Sequence, residues 1–414
     1  MKRKLCMLVL ALMLLSFVSV SFSACQKEDD VITLYVYNWG EYISDGSDDT
    51  LDVNEQFEIY CKEELGLNVK VNYSTYSSNE SMYDKVSSGA VAYDIIIPSD
   101  YMIERMINED LLAPLDMSLI PNYANISEEF KGDNIYYEGD SDEIYSVPYF
   151  YGMVGIIYNT RDVPEDEESL GSWDLMWDAD YTADILQFNN CRDAFGTALY
   201  KLGYSVNDAT EEQWQEALDL LIEQKAVIQG YVMDEIFNKM KSGSAAVAAY
   251  YAGDYLSMYE DNNDLSFFYP KEGTNRYVDA MCVPANSNNK ELAMRYINFM
   301  CETEIAVANA EYTYYASPLK TVIADEGYQE TMAEVHEDAM EILYGEMASS
   351  VPTEPYMNLS SKELQRLYSM WEELKMESSV GTGIYICCGV IVVALIALLV
   401  YHILKKRRWA KLYD

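Results

Sequence analysis

Short apolar stretches alternate with longer ones whose apolar residues fall at helical spacing along the first part of the chain. Residues 33–37 read as a strand, 53–64 as a helix that stops near Gly66, and 67–73 as the next strand. A helix over 78–88 leads into Tyr93-Asp94-Ile95-Ile96-Ile97-Pro98, a continuous apolar run of the kind covered on both faces, and 101–109 reads as a further helix. This β-α-β-α-β succession predicts an α/β domain with a mostly parallel sheet, and open sheets of that type bind ligands at the carboxyl ends of their strands. Trp39 and Ser99 fall just past two such ends. A second α/β block begins near residue 147, with a strand over 156–159, helices over 191–202 and 211–223, and an apolar run over 245–251. Strand-like sequence returns at 280–284, followed by helices over 290–301 and 361–376.

The two ends follow another pattern. Met1-Lys2-Arg3-Lys4 precedes an apolar run over 5–22 and then Phe22-Ser23-Ala24-Cys25, after which the sequence turns abruptly polar. A basic start, an apolar stretch and small residues before a cut site predict an export signal over 1–25, and Cys25 resembles the acylated cysteine of a bacterial lipoprotein. An uncleaved signal anchor is the alternative. At the other end, residues 384–404 carry no formal charge and are long enough to cross a bilayer as a helix. The basic run Lys405-Lys406-Arg407-Arg408 follows at once and predicts a cytoplasmic tail over 405–414, which leaves residues 26–383 outside, with 377–383 as a linker.

Charge changes the picture further. Asp and Glu number 69 against 28 Lys and Arg, and of the acids only Asp414 falls outside residues 26–383. Such a surface excludes nucleic acid as a partner and attracts cations. Only two His occur, His336 and His402, which argues against His-based metal sites, triads and general bases. No phosphate loop, dinucleotide fingerprint or nucleophile elbow is present, so neither an enzyme nor a cofactor or metal site is expected. Cys61, Cys191, Cys282 and Cys301 lie between the two ends and could form two disulfides or remain as buried thiols.

Tyr is abundant, 37 of 414 residues, and several aromatic residues stand beside carboxylates at predicted strand–loop junctions. Trp39 lies near Glu41 and Tyr42, Tyr251 near Asp254, and Tyr277 near Asp279, joined by Ser99, Tyr101, Asp193 and Tyr315. Aromatic faces attract ammonium groups and carboxylates add charge-assisted hydrogen bonds, so this combination suits an alkyl chain capped by ammonium groups. No Lys or Arg is among these positions, which disfavours an anionic ligand. Half-buried core aromatics beside solvated acids would produce the same text one pair at a time.

The blocks Tyr37-Asn38-Trp39-Gly40-Glu41-Tyr42, Tyr73-Ser74-Thr75-Tyr76-Ser77-Ser78-Asn79-Glu80, Tyr93 to Ser99, Leu202-Gly203-Tyr204-Ser205, Pro270-Lys271-Glu272-Gly273 and Pro284-Ala285-Asn286 occur in one order. Together they resemble the spermidine/putrescine-binding proteins of bacterial polyamine importers, over roughly residues 31–320 and more loosely near 361–375. The resemblance implies a two-lobed α/β fold of the periplasmic-binding-protein type II class, with a hinge. Its lobes would be residues 31–148 plus about 280–322, and 149–279 plus about 323–376. It also implies delivery of a polyamine to an ABC permease with its ATPase. Carried over residue by residue, the aromatic walls fall on Trp39, Tyr42, Tyr101, Tyr277, Tyr315 and Tyr251, the last where a Trp is usual. The ammonium-binding acids fall on Glu41, Asp193, Asp254 and Asp279, with Ser99 as a polar contact. Asn190 stands where spermidine-type members have an acid, and Gly40 replaces a Thr or Ser, so the choice between diamine and triamine stays open. A membrane-tethered sensor or regulatory subunit, or a binding protein for another small cationic solute, is the alternative.

Overall fold

A computed structural model describes residues 31–131 and 143–376. The expected signal with Cys25, the linker over 377–383, the apolar stretch over 384–404 and the basic tail lie outside the described residues. Among the described residues, no helix is long and apolar enough to cross a membrane.

The strands are β1 (Ile32–Trp39), β2 (Val69–Tyr76), β3 (Ile95–Ile96), β4 (Ser146–Asn159), β5 (Ile185–Phe188), β6 (Ile228–Val232), β7 (Val247–Tyr251), β8 (Leu265–Phe268), β9 (Thr274–Cys282) and β10 (Thr353–Glu354). They form one sheet path in the order β2-β1-β3-β9-β4-β7-β5-β6, with β10 beside β9 and β8 beside β4. The β-α-β-α-β succession gives parallel strands β1, β2 and β3 as expected, and the sheet as a whole is mixed because of β4 and β9. β1 pairs parallel with β2 and β3, and β5 parallel with β6 and β7, as βαβ crossovers demand. Between these two parallel halves, β4 and β9 run antiparallel to each other. β4 pairs with β9 over Ser146 to Met153 and with β7 from Val154 onward, so one strand passes from one half into the other. β9 touches β3 through Cys282 and reaches β10 through Thr274 and Asn275.

The helices follow from apolar spacing and caps. In Val53–Glu64, Val53, Phe57 and Cys61 recur every four residues and are buried, and the Asp52 side chain accepts from the Glu55 N–H. Glu211–Gln224 opens on a capping box between Thr210 and Gln213 and buries Trp214, Ala217, Leu218 and Leu221. Cys191–Lys201, by contrast, is buried from Cys191 through Tyr200, as suits a helix packed inside one half. Ser361–Met376 closes the described chain where a helix was expected and buries Leu367, Met370 and Leu374. Cys61, Cys191, Cys282 and Cys301 are free and buried, which decides between the two cysteine alternatives.

Candidate functional site

Strand ends and helix starts converge on one cleft between the two halves, about 830 Å³ including the solvent at its mouth. Trp39 is the last residue of β1, and the next turn places Glu41 in left-handed backbone at φ 50°. Ser99 follows β3 at the N-cap position of the helix Asp100–Asn108, without a side-chain capping bond. Asp193 lies in the first turn of Cys191–Lys201, where the helix dipole favours a carboxylate. Tyr251 ends β7, and Asp254 lies in the first turn of the helix Ala252–Asp261. Tyr277 and Asp279 are two apart on β9 and so share one face of the sheet. Tyr315 comes two residues after the helix Thr303–Thr313. All eleven sequence candidates, from Trp39 to Tyr315, line this single cleft.

Three buried carboxylates organise it. Asp279 is 5% exposed and accepts from Ser99 Oγ at 2.6 Å and from Tyr42 Oη at 2.7 Å. Asn79 Nδ2 in turn donates to Ser99 Oγ at 3.0 Å. Asp254, 7% exposed, accepts from Tyr315 Oη at 2.7 Å. Asp193, 9% exposed, accepts from Tyr251 Oη at 2.7 Å and from Asn190 Nδ2 at 2.6 Å. None of the three forms an ion pair with Lys or Arg among the described residues. Burial pushes the Asp279 carboxyl up to about 7 and the Asp254 carboxyl up to about 8, against the donors that favour the ionised form. Asp193 is raised by the same burial, opposed by its hydrogen bonds and by the Arg192 charge. The phenols of Tyr42, Tyr101, Tyr251, Tyr277 and Tyr315 are raised by burial too, so they remain neutral donors at physiological pH.

The rings of the lining meet in pairs. Tyr42 meets Tyr315 edge-on at 4.7 Å and Tyr251 meets Tyr277 edge-on at 5.2 Å, while Trp39 tilts against Tyr76 at 4.7 Å. Trp39 Nε1 is anchored on the Ile97 carbonyl at 2.9 Å, which leaves the ring to act as a wall. Among the described residues, Tyr277 Oη is buried without a hydrogen-bond partner.

Further lining residues escaped the sequence reading: Glu80, Arg192, Asp234, Phe237 and Tyr356. Glu80 accepts from Tyr101 Oη at 3.1 Å, and its carboxyl is raised by burial. Asp234 lies across from Gly40, where an added Cβ would come within 2.9 Å of Asp234 Oδ2. Arg192 corrects the expectation that no Lys or Arg lines the site. Its immediate neighbour Asp193 was the available signal. Even so, six carboxylates (Glu41, Glu80, Asp193, Asp234, Asp254 and Asp279) face one guanidinium in this lining. The arrangement stabilises positive charge, and its ring faces suit an alkyl chain between charges. No group of three or more His, Cys, Asp or Glu is placed to hold a metal ion among the described residues.

Comparison with known proteins agrees with this geometry. Residues 55–335 match the family described as bacterial extracellular solute-binding protein. The chain is 32% identical over 291 residues to the spermidine/putrescine-binding periplasmic protein of Escherichia coli (strain K12), covering 70% of this chain and 78% of that one. It is 28% identical over 362 residues to a putrescine/cadaverine-binding protein of Pseudomonas aeruginosa, covering 83% and 93%. Among solved structures it resembles a putative spermidine/putrescine ABC transporter protein from Listeria monocytogenes, with a TM-score of 0.73 and 34% identity over 84% of this chain and 99% of that one.

Proposed function

The chain belongs to the bacterial extracellular solute-binding proteins, and from that premise we propose that it is the polyamine-binding component of an ABC importer. The observation that carries this reading is the set of three buried, hydrogen-bonded carboxylates without a basic ion-pair partner, walled by aromatic rings. Asp193, Asp254 and Asp279, with Glu41, hold ammonium groups. Trp39, Tyr42, Tyr101, Tyr251, Tyr277 and Tyr315 enclose the methylene chain, and Ser99 orients Asp279. A buried carboxylate–ammonium contact is a charge-assisted hydrogen bond, and each close ring adds about 0.5–2 kcal/mol of cation–π attraction.

The lobes in this reading are residues 31–148 plus about 280–322 and residues 149–279 plus about 323–376, hinged where the chain passes through β4 and β9. Ligand touches both lobes only when they are closed, so it shifts the population toward the closed form, which docks on the permease and its ATPase. The receptor is held at the outer face of the membrane by residues 384–404 and by an acyl chain on Cys25.

Calorimetric titration of the full-length chain in detergent with putrescine, cadaverine, spermidine, spermine and a monoamine tests the reading. Micromolar or tighter binding of a polyamine, absent for the monoamine, is expected. A folded sample that binds none of them overturns it.

A further inference from the structure

The chain between β10 and the last helix forms a strap stapled to residues 192–207. Thr353 and Glu354 pair with Thr274 and Asn275 of β9, and residues 355–360 run on to Ser361–Met376. Glu354 Oε2 accepts from Ser205 Oγ at 3.0 Å and from the Val206 N–H at 3.2 Å. The Asn207 side chain donates to the Pro355 carbonyl at 2.8 Å and accepts from the Met357 N–H at 2.9 Å. Tyr356 Oη donates to the Arg192 carbonyl at 3.2 Å, and Arg192 Nη2 donates to the Met357 carbonyl at 3.3 Å. An added Cβ at Gly196 would fall on Tyr356 Oη, so this glycine inside Cys191–Lys201 leaves room for the phenol. The helix after the strap is tied to the same half by Lys362 and Arg366, both on Glu211.

A further hydrogen bond leaves that half. The Asn358 N–H donates to Glu104 Oε2 at 3.0 Å, on the helix Asp100–Asn108. In the proposed lobes that helix belongs to one and the strap to the other. Nearer the start of the helix, Tyr101 stands edge-on to Tyr356 at 6.2 Å, and both rings line the cleft. Nearer its end, Arg105 and Asn108 face Asn358 and Leu359 across a separate groove, about 1130 Å³ including open solvent. Glu104 and Asn358 are not among the residues that line the cleft. The bond therefore stands behind the ring pair, out of reach of a ligand.

We propose that Glu104 is the latch of the closed form, a positioning residue that draws the strap, and Tyr356 with it, against the helix Asp100–Asn108 when the lobes close. The proposal rests on the polyamine reading and its closure, and adds a residue that holds the lobes shut. A carboxylate that accepts from a backbone N–H makes a charge-assisted bond. Because this one touches no ligand, it raises the closed population by the same factor whichever amine is bound. Opening must break it before ligand leaves, so its loss is read chiefly as faster dissociation.

The test is calorimetric titration of the full-length chain in detergent with putrescine, cadaverine and spermidine, with dissociation rates from stopped-flow intrinsic fluorescence. Glu104→Ala should weaken all three amines by one common factor of at least about fivefold and speed their dissociation by a similar factor. Glu104→Gln keeps an oxygen that accepts the bond and should stay within about twofold of the wild type. Asn358→Pro removes the donor from the strap side and should reproduce the loss, and the double variant should lose no more than either single one. Unchanged affinities in Glu104→Ala overturn the proposal, as does a loss confined to one amine or a Glu104→Gln loss as large as that of Glu104→Ala. If Glu104→Ala does not fold, Asn358→Pro decides alone, and wild-type affinities in it overturn the latch. A wild type that binds none of the three amines overturns the polyamine reading itself, and this inference with it.

Discussion

At the scale of single residues, the carboxyls of Asp279 and Asp254 carry protons near neutral pH because burial disfavours their ionised forms more than Ser99, Tyr42 and Tyr315 favour them. Both pKa values are raised above the roughly 3.9 of an unfolded Asp. Between about pH 4 and pH 8 the folded chain therefore holds protons that the unfolded chain has lost, and the free protein loses stability as pH rises through that window. A cationic ligand prefers the ionised carboxylates, so its binding releases protons, and affinity for putrescine should climb between about pH 6 and pH 8 before levelling. The amines keep their charge until the pH nears about 10, the range of a lysine ammonium. Titration at pH 7 in buffers of different ionisation heat should show release of at least about half a proton per ligand. Asp279→Asn should weaken binding at least tenfold, about 1.4 kcal/mol, and flatten the lower part of this pH dependence. An affinity independent of pH in the wild type would remove the buried carboxylates from the account.

At the scale of elements, two helix caps separate folding from binding. Thr210 and Asn190 each accept from a backbone N–H in the first turn of their helices, Thr210 from Gln213 at 3.3 Å and Asn190 from Asp193 at 2.8 Å. Replacing either by Ala should cost about 1 kcal/mol of stability, read from the denaturant midpoint. Only Asn190→Ala should also weaken polyamine binding, because Asn190 Nδ2 holds Asp193 Oδ2, whereas no residue of Glu211–Gln224 lines the cleft. Equal affinities in both variants would detach Asp193 from the ligand. The same elements show what could be read beforehand. Helices such as Val53–Glu64 and Ser361–Met376 announce themselves by apolar spacing sustained over three or more turns. β5 and β6, of four and five residues, do not, because such short strands acquire their identity from the neighbours they pair with. The antiparallel joint of β4 and β9 links residues more than a hundred positions apart, which no local pattern encodes. Most of the eleven candidates share a cleft because they stand where an element ends or starts, whereas Tyr277 and Asp279 reach it from one face of β9. Tyr356 and Asp234 reach the same cleft although an aromatic stands beside an acid there too (Glu354 with Tyr356, Tyr231 with Asp234), so that pairing alone does not single out the residues that tertiary placement brings to the cleft.

At the scale of the whole molecule, the proposed closure depends on surfaces of the two proposed lobes that meet without ligand between them. Gly253 is one such point: an added Cβ would lie 2.9 Å from Tyr315 Cδ2 and 3.1 Å from the Tyr314 carbonyl oxygen. Tyr315 in turn donates to Asp254 and stands edge-on to Tyr42. A methyl group here displaces the Tyr315 ring that donates to Asp254, and the Tyr314 backbone oxygen beyond it leaves little room to yield. Within its own helix, however, Ala is favoured over Gly by up to about 1 kcal/mol. The two effects act on different equilibria. The helix preference belongs to folding of the free protein, whereas under the proposed closure the clash arises when the lobes come together. Gly253→Ala should therefore melt at or above the wild-type temperature without ligand, yet bind putrescine at least tenfold more weakly. In small-angle scattering, saturating putrescine should reduce the radius of gyration of the wild type and reduce it less in the variant. A variant that binds and contracts like the wild type would show that ligand capture does not need the Gly253–Tyr315 contact, and the hinge-closing mechanism would have to bring the halves together elsewhere.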